Sequence, residues 1–482
     1  MTNLSTSLQN ALSGLNVLSR ITETVSSNVA NSSNEHYAAR EAVIGQRVIG
    51  GVGFGAGVVG VLRDIDPVLQ GERRFAEAEL AKTSARADFY AAMEAAIGLP
   101  DEPGSLSGRL AQFGAELINA SSRPDSESRL QSALDAAQGV ARGFNTASDA
   151  VQRERLQADR AIAEAVNTVN TALSQIQDLN AQIVRGGSQT LALADERMRL
   201  VDQISELIPM REIQRENGSI ALFTQGGAIL LDISAAELGF TSAGLITPEM
   251  NVGAGSLSGL TINGKPVSTS ADKGPIAGGK LGALFDVRDV QATAVQTRLD
   301  AAARDFIERF ETPAVDPTLT AGDPGLFTDG GAALDVTLEV GLAGRISVNA
   351  LADPSQGGAL WRLRDGLGAA APGAAGDATL LNALSDALGA TRSPATGGFL
   401  TQQTAFGIAG ELIGGVAGTQ SAYQSEQSYA RARADTLLSR QLERGVDTDS
   451  EMQRLLQVEQ AFAANAKVIS TIDELIETLL RI

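Results

Sequence analysis

Apolar residues recur at alternating spacings of four and three near both ends of the chain. Close to the start they are Leu4, Leu8, Ala11, Leu15, Leu18, Val25 and Val29, and close to the end Leu455, Val458, Phe462, Ile469, Ile472, Ile476 and Leu479. This spacing gathers the apolar positions into a heptad seam on one side of a helix. Each stretch predicts a helix about 40 Å long at roughly 1.5 Å per residue. A helix cannot cover its own stripe, so each seam requires another surface. That surface is the other terminal helix or a neighbouring subunit, although the outer helices of an ordinary bundle would show the same pattern. Thr22 and Asn465 interrupt the seams. A polar side chain there either fixes register and partner choice or lies at the edge of the stripe facing water.

Inside the first seam, the Asn and Ser cluster from Asn28 to Asn34 predicts the end of the helix and a turn. A glycine-rich extended stretch follows from Ile44 to Val61, with Gly51, Gly53, Gly55, Gly57 and Gly60. A dinucleotide loop would open a helix and place an acidic residue about 20 positions on, whereas here Asp64 comes too early and the next helix starts at Pro67, capped by Asp66. That helix runs through Phe75, Leu80 and Phe89 towards Ile97, and the chain breaks between Pro100 and Gly104.

The segment from Asp125 to Arg185 predicts one long helix, carrying the stripe Ile162, Val166, Val169, Leu173, Ile176, Leu179 and Ile183 and closed by Gly186-Gly187. A shorter helix from Leu191 to Ile208 predicts an antiparallel hairpin with it. Beyond Pro209 the pattern changes to short β-like runs at Ile213, Ser219 to Thr224, Ala228 to Ile233 and Leu260 to Val267. Asn217-Gly218 and Asn263-Gly264 are dipeptides suited to hairpin turns with two positive φ angles. A helix from Lys280 to Phe310 returns to the bundle pattern, and the dense Gly and Ala between Gly366 and Gly376 predict a loop.

The fold class expected is mainly α with β-rich insertions: coiled-coil terminal helices, a helical-bundle domain and outer β-rich domains. The expected divisions are a terminal helix and extended segment at 1–66, a bundle at 67–210, a β-rich outer region at 211–278, a bundle helix at 279–310, a β-rich or mixed outer region at 311–400, a returning bundle helix at 401–441 and a final axial helix at 442–482. The middle parts are expected to face outward, with the two ends together inside.

A chain of 482 residues has room for about three domains. A formal charge of -19 argues against a nucleic-acid partner, because phosphates are bound by clustered Lys and Arg. No run of about 20 apolar residues is present to span a membrane, and Met1-Thr2-Asn3 opens without the basic region of a signal peptide. Cysteine is absent, which excludes disulfides and thiol ligands, although cytosolic proteins without cysteine are not rare.

Catalytic chemistry finds few candidates. His36 is the only histidine, so two imidazoles cannot share a zinc ion, and it reads as a solvated turn residue. Asp195-Glu196 or the Asp447, Asp449, Glu451 group supplies carboxylates of the kind a glycosidase uses. The second group starts like a calcium loop, but Met452 occupies the position that needs Gly. Asp447, Thr448 and Asp449 are better read as the cap of the final helix, and the charge run from Arg431 to Asp435 as a solvated face. No enzyme, metal site or cofactor is expected.

Ser13-Gly14-Leu15-Asn16, then Ser27-Asn28-Val29-Ala30-Asn31 with Tyr37 beyond, resembles the amino-terminal signature of bacterial flagellar axial proteins, which build rod, hook and filament. The run from Glu459 to Thr471, through Asp473-Glu474-Leu475 to Leu479-Leu480, is similar to the carboxyl end of the branch of that family that joins hook to filament. Val169-Asn170 to Ile183, Ala194 to Gln203, Ser347-Val348-Asn349 and Trp361 to Gly366 also resemble family words. One departure is clear: Asn34-Glu35-His36-Tyr37 stands where the family usually continues Thr-Pro-Gly-Tyr.

The resemblance implies a structural subunit of the flagellum, outside the cell, exported by the flagellar type III apparatus. It implies as partners the hook protein, a second junction protein of the hook-associated protein 3 type, copies of the chain itself and an export chaperone on the carboxyl-terminal helix. Assembly would proceed by docking of terminal helices, mobile in the monomer, between subunits. The packing residues expected are Leu8, Leu15, Leu18, Val25, Val29, Phe462, Asn465, Ile469, Ile472, Ile476 and Leu479. Another axial subunit, from hook or distal rod, would share the amino-terminal words. A secreted wall hydrolase or adhesin with axial-type ends is the alternative from a different class.

Overall fold

The computed structural model describes residues 2–34, 36–49, 52–100, 102–187 and 189–481. Of the positions singled out above, Glu35 and Gly51 lie outside them. The chain opens with α1 (Thr2–Ala30), the strands β1 (Arg40–Ile49) and β2 (Val52–Arg63), then α2 (Pro67–Ile97), α3 (Leu106–Ser122), α4 (Glu127–Arg185) and α5 (Thr190–Ser205). Two three-stranded antiparallel sheets follow: β3 (Met210–Gln214), β4 (Ile220–Thr224) and β5 (Ile229–Leu231), then β6 (Leu238–Gly239), β7 (Leu260–Ile262) and β8 (Lys265–Val267). The helices α6 (Gly279–Asp286) and α7 (Ala292–Phe310) run through a π-helical turn at Val287–Gln291. After β9 (Phe327–Asp329), α8 (Leu342–Arg345), β10 (Ile346–Val348) and α9 (Arg362–Asp365), the chain finishes with α10 (Thr379–Gly389), α11 (Ala405–Glu443) and α12 (Thr448–Leu480).

The class expected from the sequence is the class observed, mainly helical with small β insertions. α4 is the spine. Its 59 residues span about 90 Å at roughly 1.5 Å each, and its apolar stripe, including Ile162, Val169, Leu173 and Ile176, is fully buried. α3, α5, α7 and both three-stranded sheets lie along it, in one core continuous from Phe89 to Val416. Phe113, Phe306, Phe310 and Phe327 meet where α3 and α7 pack on β9, with the Phe306 and Phe327 ring centroids 4.6 Å apart.

Three fully buried arginines tie outer loops to this core. Arg155 donates to the Thr247 and Met250 carbonyls, Arg288 binds Asp159 and the Ser258 carbonyl, and Arg309 donates to the Ala387, Ala390 and Gln403 carbonyls. A guanidinium can serve several backbone acceptors at once, which offsets the cost of burying it.

α2 and α11 run antiparallel and lead out of the bundle. Asp66 pairs with Arg444 at one end, Ala76 packs with Ala434 and Leu437 midway, and Tyr90 meets Tyr423 at the bundle. Asp66 caps α2 as expected, accepting from the Val68 and Leu69 amides. The stretch read only as extended and glycine-rich is an antiparallel hairpin, β1 on β2, irregular at Val43/Ile44 and Gln46/Val48. Between 311 and 400 the chain has two three-residue strands and the eleven-residue α10. The turn dipeptides differ: Asn263 and Gly264 both have positive φ, whereas at Asn217-Gly218 only Gly218 does.

Candidate functional site

The two termini pack on each other. α1 and α12 are antiparallel, with Asn28 opposite Glu451 and Gly14 opposite Asn465. The β1–β2 hairpin lies along α1 beside α12. The small core between them consists of Val17, Ile21, Val25, Ala42 and Val458, with Leu18, Val29, Ala56, Val58 and Leu455 packed around it.

The packing residues expected from the sequence fall into two groups. Val25 and Ile472 are buried, Leu18 and Val29 border the small core, and Leu8, Leu15, Asn465 and Ile469 are half-buried. Phe462, Ile476 and Leu479 are exposed, at 48%, 37% and 56%. Among the described residues, that part of the seam is only partly covered. The heptad reading passed over Val17 and Ile21, which with Val25 form an i, i+4 stripe turned partly towards the hairpin. A second packing surface arriving from the hairpin could not be read from helix periodicity alone.

Neither interrupting polar residue reaches across to the other helix by a hydrogen bond. Thr22 bonds back to the Leu18 carbonyl and Asn465 to the Ala461 carbonyl. The residue that does cross is Asn28, which is 1% exposed. Its Nδ2 donates to the Arg40 carbonyl at 2.9 Å and to Glu451 Oε1 at 2.7 Å, while its Oδ1 accepts from the Arg40 amide and from the Tyr37 hydroxyl. One amide thus ties the end of α1, the turn after it, the start of β1 and the first turn of α12. Asp447 caps that turn, accepting from the Asp449 and Ser450 amides.

The hairpin is seated on α1 by the first sequence word. Ser13 Oγ accepts from the Ala56 amide. Gly55 has φ +80°, and a Cβ there would stand 1.9 Å from Ser13 Oγ, so both conformation and space demand glycine. On the other side, a Cβ on Gly14 would come within 3.2 Å of the Asn465 amide, so the missing side chain lets α12 approach closely.

The head meets the bundle through two carboxylates on α5. Asp195 binds Arg40 at 3.0 Å and Arg63 at 2.7 Å, one from each strand of the hairpin. About two turns further on, Asp202 binds Arg73 at 2.7 Å and Arg74 at 2.6 Å, both from α2. Arg73 also holds Glu77, and Arg74 also holds Glu212. His36 Nδ1 lies 3.4 Å from Asp202 Oδ2. The sequence-based assignment of His36 as a solvated turn residue is therefore corrected: the turn carries it onto a buried carboxylate. Burial by itself pushes Asp202 up, but the hydrogen bond from His36 and the charges of Arg74 and Arg73 outweigh it and hold the carboxyl at about 2.

The carboxylates considered for catalysis are engaged in this framework. Asp195 is shared by two arginines, Glu196 pairs with Arg199, and Glu451 serves Asn28. Asp195 and Asp202 lie within residues quoted for the family resemblance; their four arginine partners were missed. The available signal was the Arg73-Arg74 pair, two adjacent cations at positions that the packing of α2 buries. Among the described residues no group of three or more His, Asp or Glu converges as a metal site, and no helix is long and apolar enough to cross a membrane. Beside the joint lies a cleft of about 240 Å³ between the turn after α1, the start of α2 and the link from α11 to α12.

Comparison with known proteins places two parts of the chain. Residues 92–323 match the model of the flagellar hook-associated protein FlgK helical domain, and residues 443–482 that of the flagellar basal body rod FlgEFG protein C-terminal region. Flagellar hook-associated protein 1 of Salmonella typhimurium is 25% identical over 244 residues, 48% of this chain and 44% of that protein. The Escherichia coli protein of the same name is 23% identical over 64% of this chain and 57% of its own length. The chain therefore spans about half the length of these relatives. With the Bacillus subtilis protein of that name the similarity, 23%, covers 100% of this chain and 98% of the other. A solved structure of the flagellar hook junction protein FlgK from Burkholderia pseudomallei aligns with a TM-score of 0.44 at 23% identity, over 54% of this chain and 47% of that one.

Proposed function

We propose that this chain, a relative of flagellar hook-associated protein 1, is a structural subunit of the bacterial flagellum that joins hook to filament. The observation that carries the reading is the unfinished seam of the terminal head. Phe462, Ile476 and Leu479 are exposed in one copy, and Val43, Val48, Val59 and Leu62 are exposed on the hairpin. Large apolar groups left in water on long helices gain roughly 1.5–3 kcal/mol each on burial, so the head is suited to docking between neighbours. Contacts that repeat from subunit to subunit without closing build a tube.

On this reading the partners are copies of the chain, the hook protein on one side and a second junction protein on the other. An export chaperone binds α12 before assembly, the route out is the flagellar type III apparatus, and the site of action is extracellular. The packing residues are those named from the seam, with Val17, Ile21 and Asn28 holding each head together internally. No catalytic step is assigned.

The test is electron microscopy of cells lacking the gene, with an assay for flagellin in the medium. Complete hooks without filaments, and flagellin lost to the medium, support the junction role. Missing hooks would move the assignment to rod or hook. Normal filaments would overturn it in favour of a secreted enzyme or adhesin.

A further inference from the structure

At the joint a buried carboxylate, Asp202, gathers cationic groups from α2 and from the turn after α1. Arg73 and Arg74 face three carboxylates, Asp202, Glu77 and Glu212, at 2.6 to 2.9 Å. The two arginines and Asp202 are each less than a tenth exposed, so an unbalanced charge there is costly. The group that approaches from the head side is His36, which reaches Asp202 at 3.4 Å from the turn between α1 and β1.

We propose that protonation of His36 converts its contact with buried Asp202 into a charged hydrogen bond and so latches the turn after α1, and with it the head, onto the bundle. An imidazolium donates from both ring nitrogens and carries a positive charge to the Asp202 carboxylate, whereas a neutral ring does neither in full. The latch is therefore closed at mildly acidic pH and loosens as pH rises through the imidazole's titration.

The other charged groups around the joint do not replace it. On α5, Asp195 is shared by Arg40 and Arg63 of the hairpin, and Glu196, paired with Arg199, is a second carboxylate that feels the charge of His36. Arg40 and Arg63 carry a surplus positive charge, but their side-chain hydrogen bonds go to Asp195 and Met198, and buried Arg197, which acts on Glu212, donates to Asn180 Oδ1 and the Gly218 carbonyl. Glu206 acts on Glu77 as a further negative charge. Glu77 is the one rival source of the proton, because burial pushes its carboxyl up against the pull of Arg73.

Since His36 is the only histidine in the chain, its ring can be followed in the full-length monomer by NMR after histidine-selective labelling. Hydrogen exchange of residues 31–40 would be measured alongside, corrected for the intrinsic pH dependence of exchange, at about pH 5.5 and about pH 8, either side of the ordinary imidazole value near ~6.5. Protection of that turn is expected to fall about three- to tenfold from the lower to the higher pH, in step with the ring titration, the range expected for a partly exposed charged hydrogen bond. His36→Gln should sit at the high-pH level at both, and the β7–β8 hairpin should not respond. A turn equally protected at both pH values would overturn the proposal. So would a pH dependence that survives His36→Gln and disappears in Glu77→Gln, which would assign the proton to Glu77.

Discussion

The helical bundle and the terminal head are built from similar amphipathic helices but are finished to different degrees. In the bundle, α4 is surrounded, and its apolar stripe, the phenylalanine cluster and three arginines are all fully buried. In the head, two helices about 40 to 50 Å long and a hairpin share a core of only five buried apolar residues. Half of the exposed large apolar residues among those described lie in residues 12–68 and 442–480. The difference teaches that the bundle's helices bury their stripes within one chain, whereas the head's helices leave large apolar side chains exposed along theirs. Between them stands a joint held by charge rather than by apolar contact.

The largest effect separating the regions should come from the bundle core. Phe327→Ala removes a ring packed against Phe113, Phe306 and Phe310 and is expected to cost about 3–5 kcal/mol in chemical denaturation. An equal loss from Phe462→Ser would erase the contrast, because an exposed side chain should change monomer stability by no more than about 0.5 kcal/mol.

The joint comes next. Asp202→Asn leaves Arg73 and Arg74 without their shared carboxylate and is expected to cost about 3 kcal/mol. The acid titration has a definite sign. A carboxyl held at about 2 in the fold, against an ordinary 3.8, contributes stability that is present above 3.8 and lost as pH falls towards 2. The loss amounts to about 2 kcal/mol, and urea unfolding of wild type and Asp202→Asn across that window should converge at the acid end.

Within the head, Asn28→Ala strands the Arg40 carbonyl and the Glu451 carboxylate and should cost about 1–3 kcal/mol. The sharpest readout is faster hydrogen exchange in the first turns of α12 with the bundle unchanged. The smallest structural change is Gly14→Ala. A Cβ 3.2 Å from the Asn465 amide must push α12 outward by a few tenths of an ångström, with an expected cost under about 1 kcal/mol. Wild-type exchange in α12 for this variant would show that the close approach there is not needed.

Much of the fold was legible because its signals were local. The stripe from Ile162 to Ile183 marked α4, Asp66-Pro67 marked the start of α2, and Asp447 the start of α12. The class, helical with β insertions, followed from where periodicity changed at Pro209. The hairpin β1–β2 was hidden in part because Gly55 serves close packing against Ser13, a partner more than 40 residues away in sequence. α3 and α10 are amphipathic but short, 17 and 11 residues, and carry too few repeats of the helical period to stand out from the loops around them. At the joint, Arg40, Arg63, Arg73, Arg74 and His36 converge on α5 only through tertiary structure. The head was half legible: Val25 and Val29 lie in its core or on its border, while Val17 and Ile21 answer to the hairpin, which no helical period announces.

The most direct test of the unfinished head is hydrogen exchange of α1 and α12 in the purified full-length monomer and again after incorporation into isolated hooks. The account predicts that the distal parts, residues 4–12 and 462–480, exchange far faster than α4 in the monomer and become protected on assembly, with α4 unchanged. Equal protection of these segments and α4 in the monomer, or no gain of protection on assembly, would contradict it.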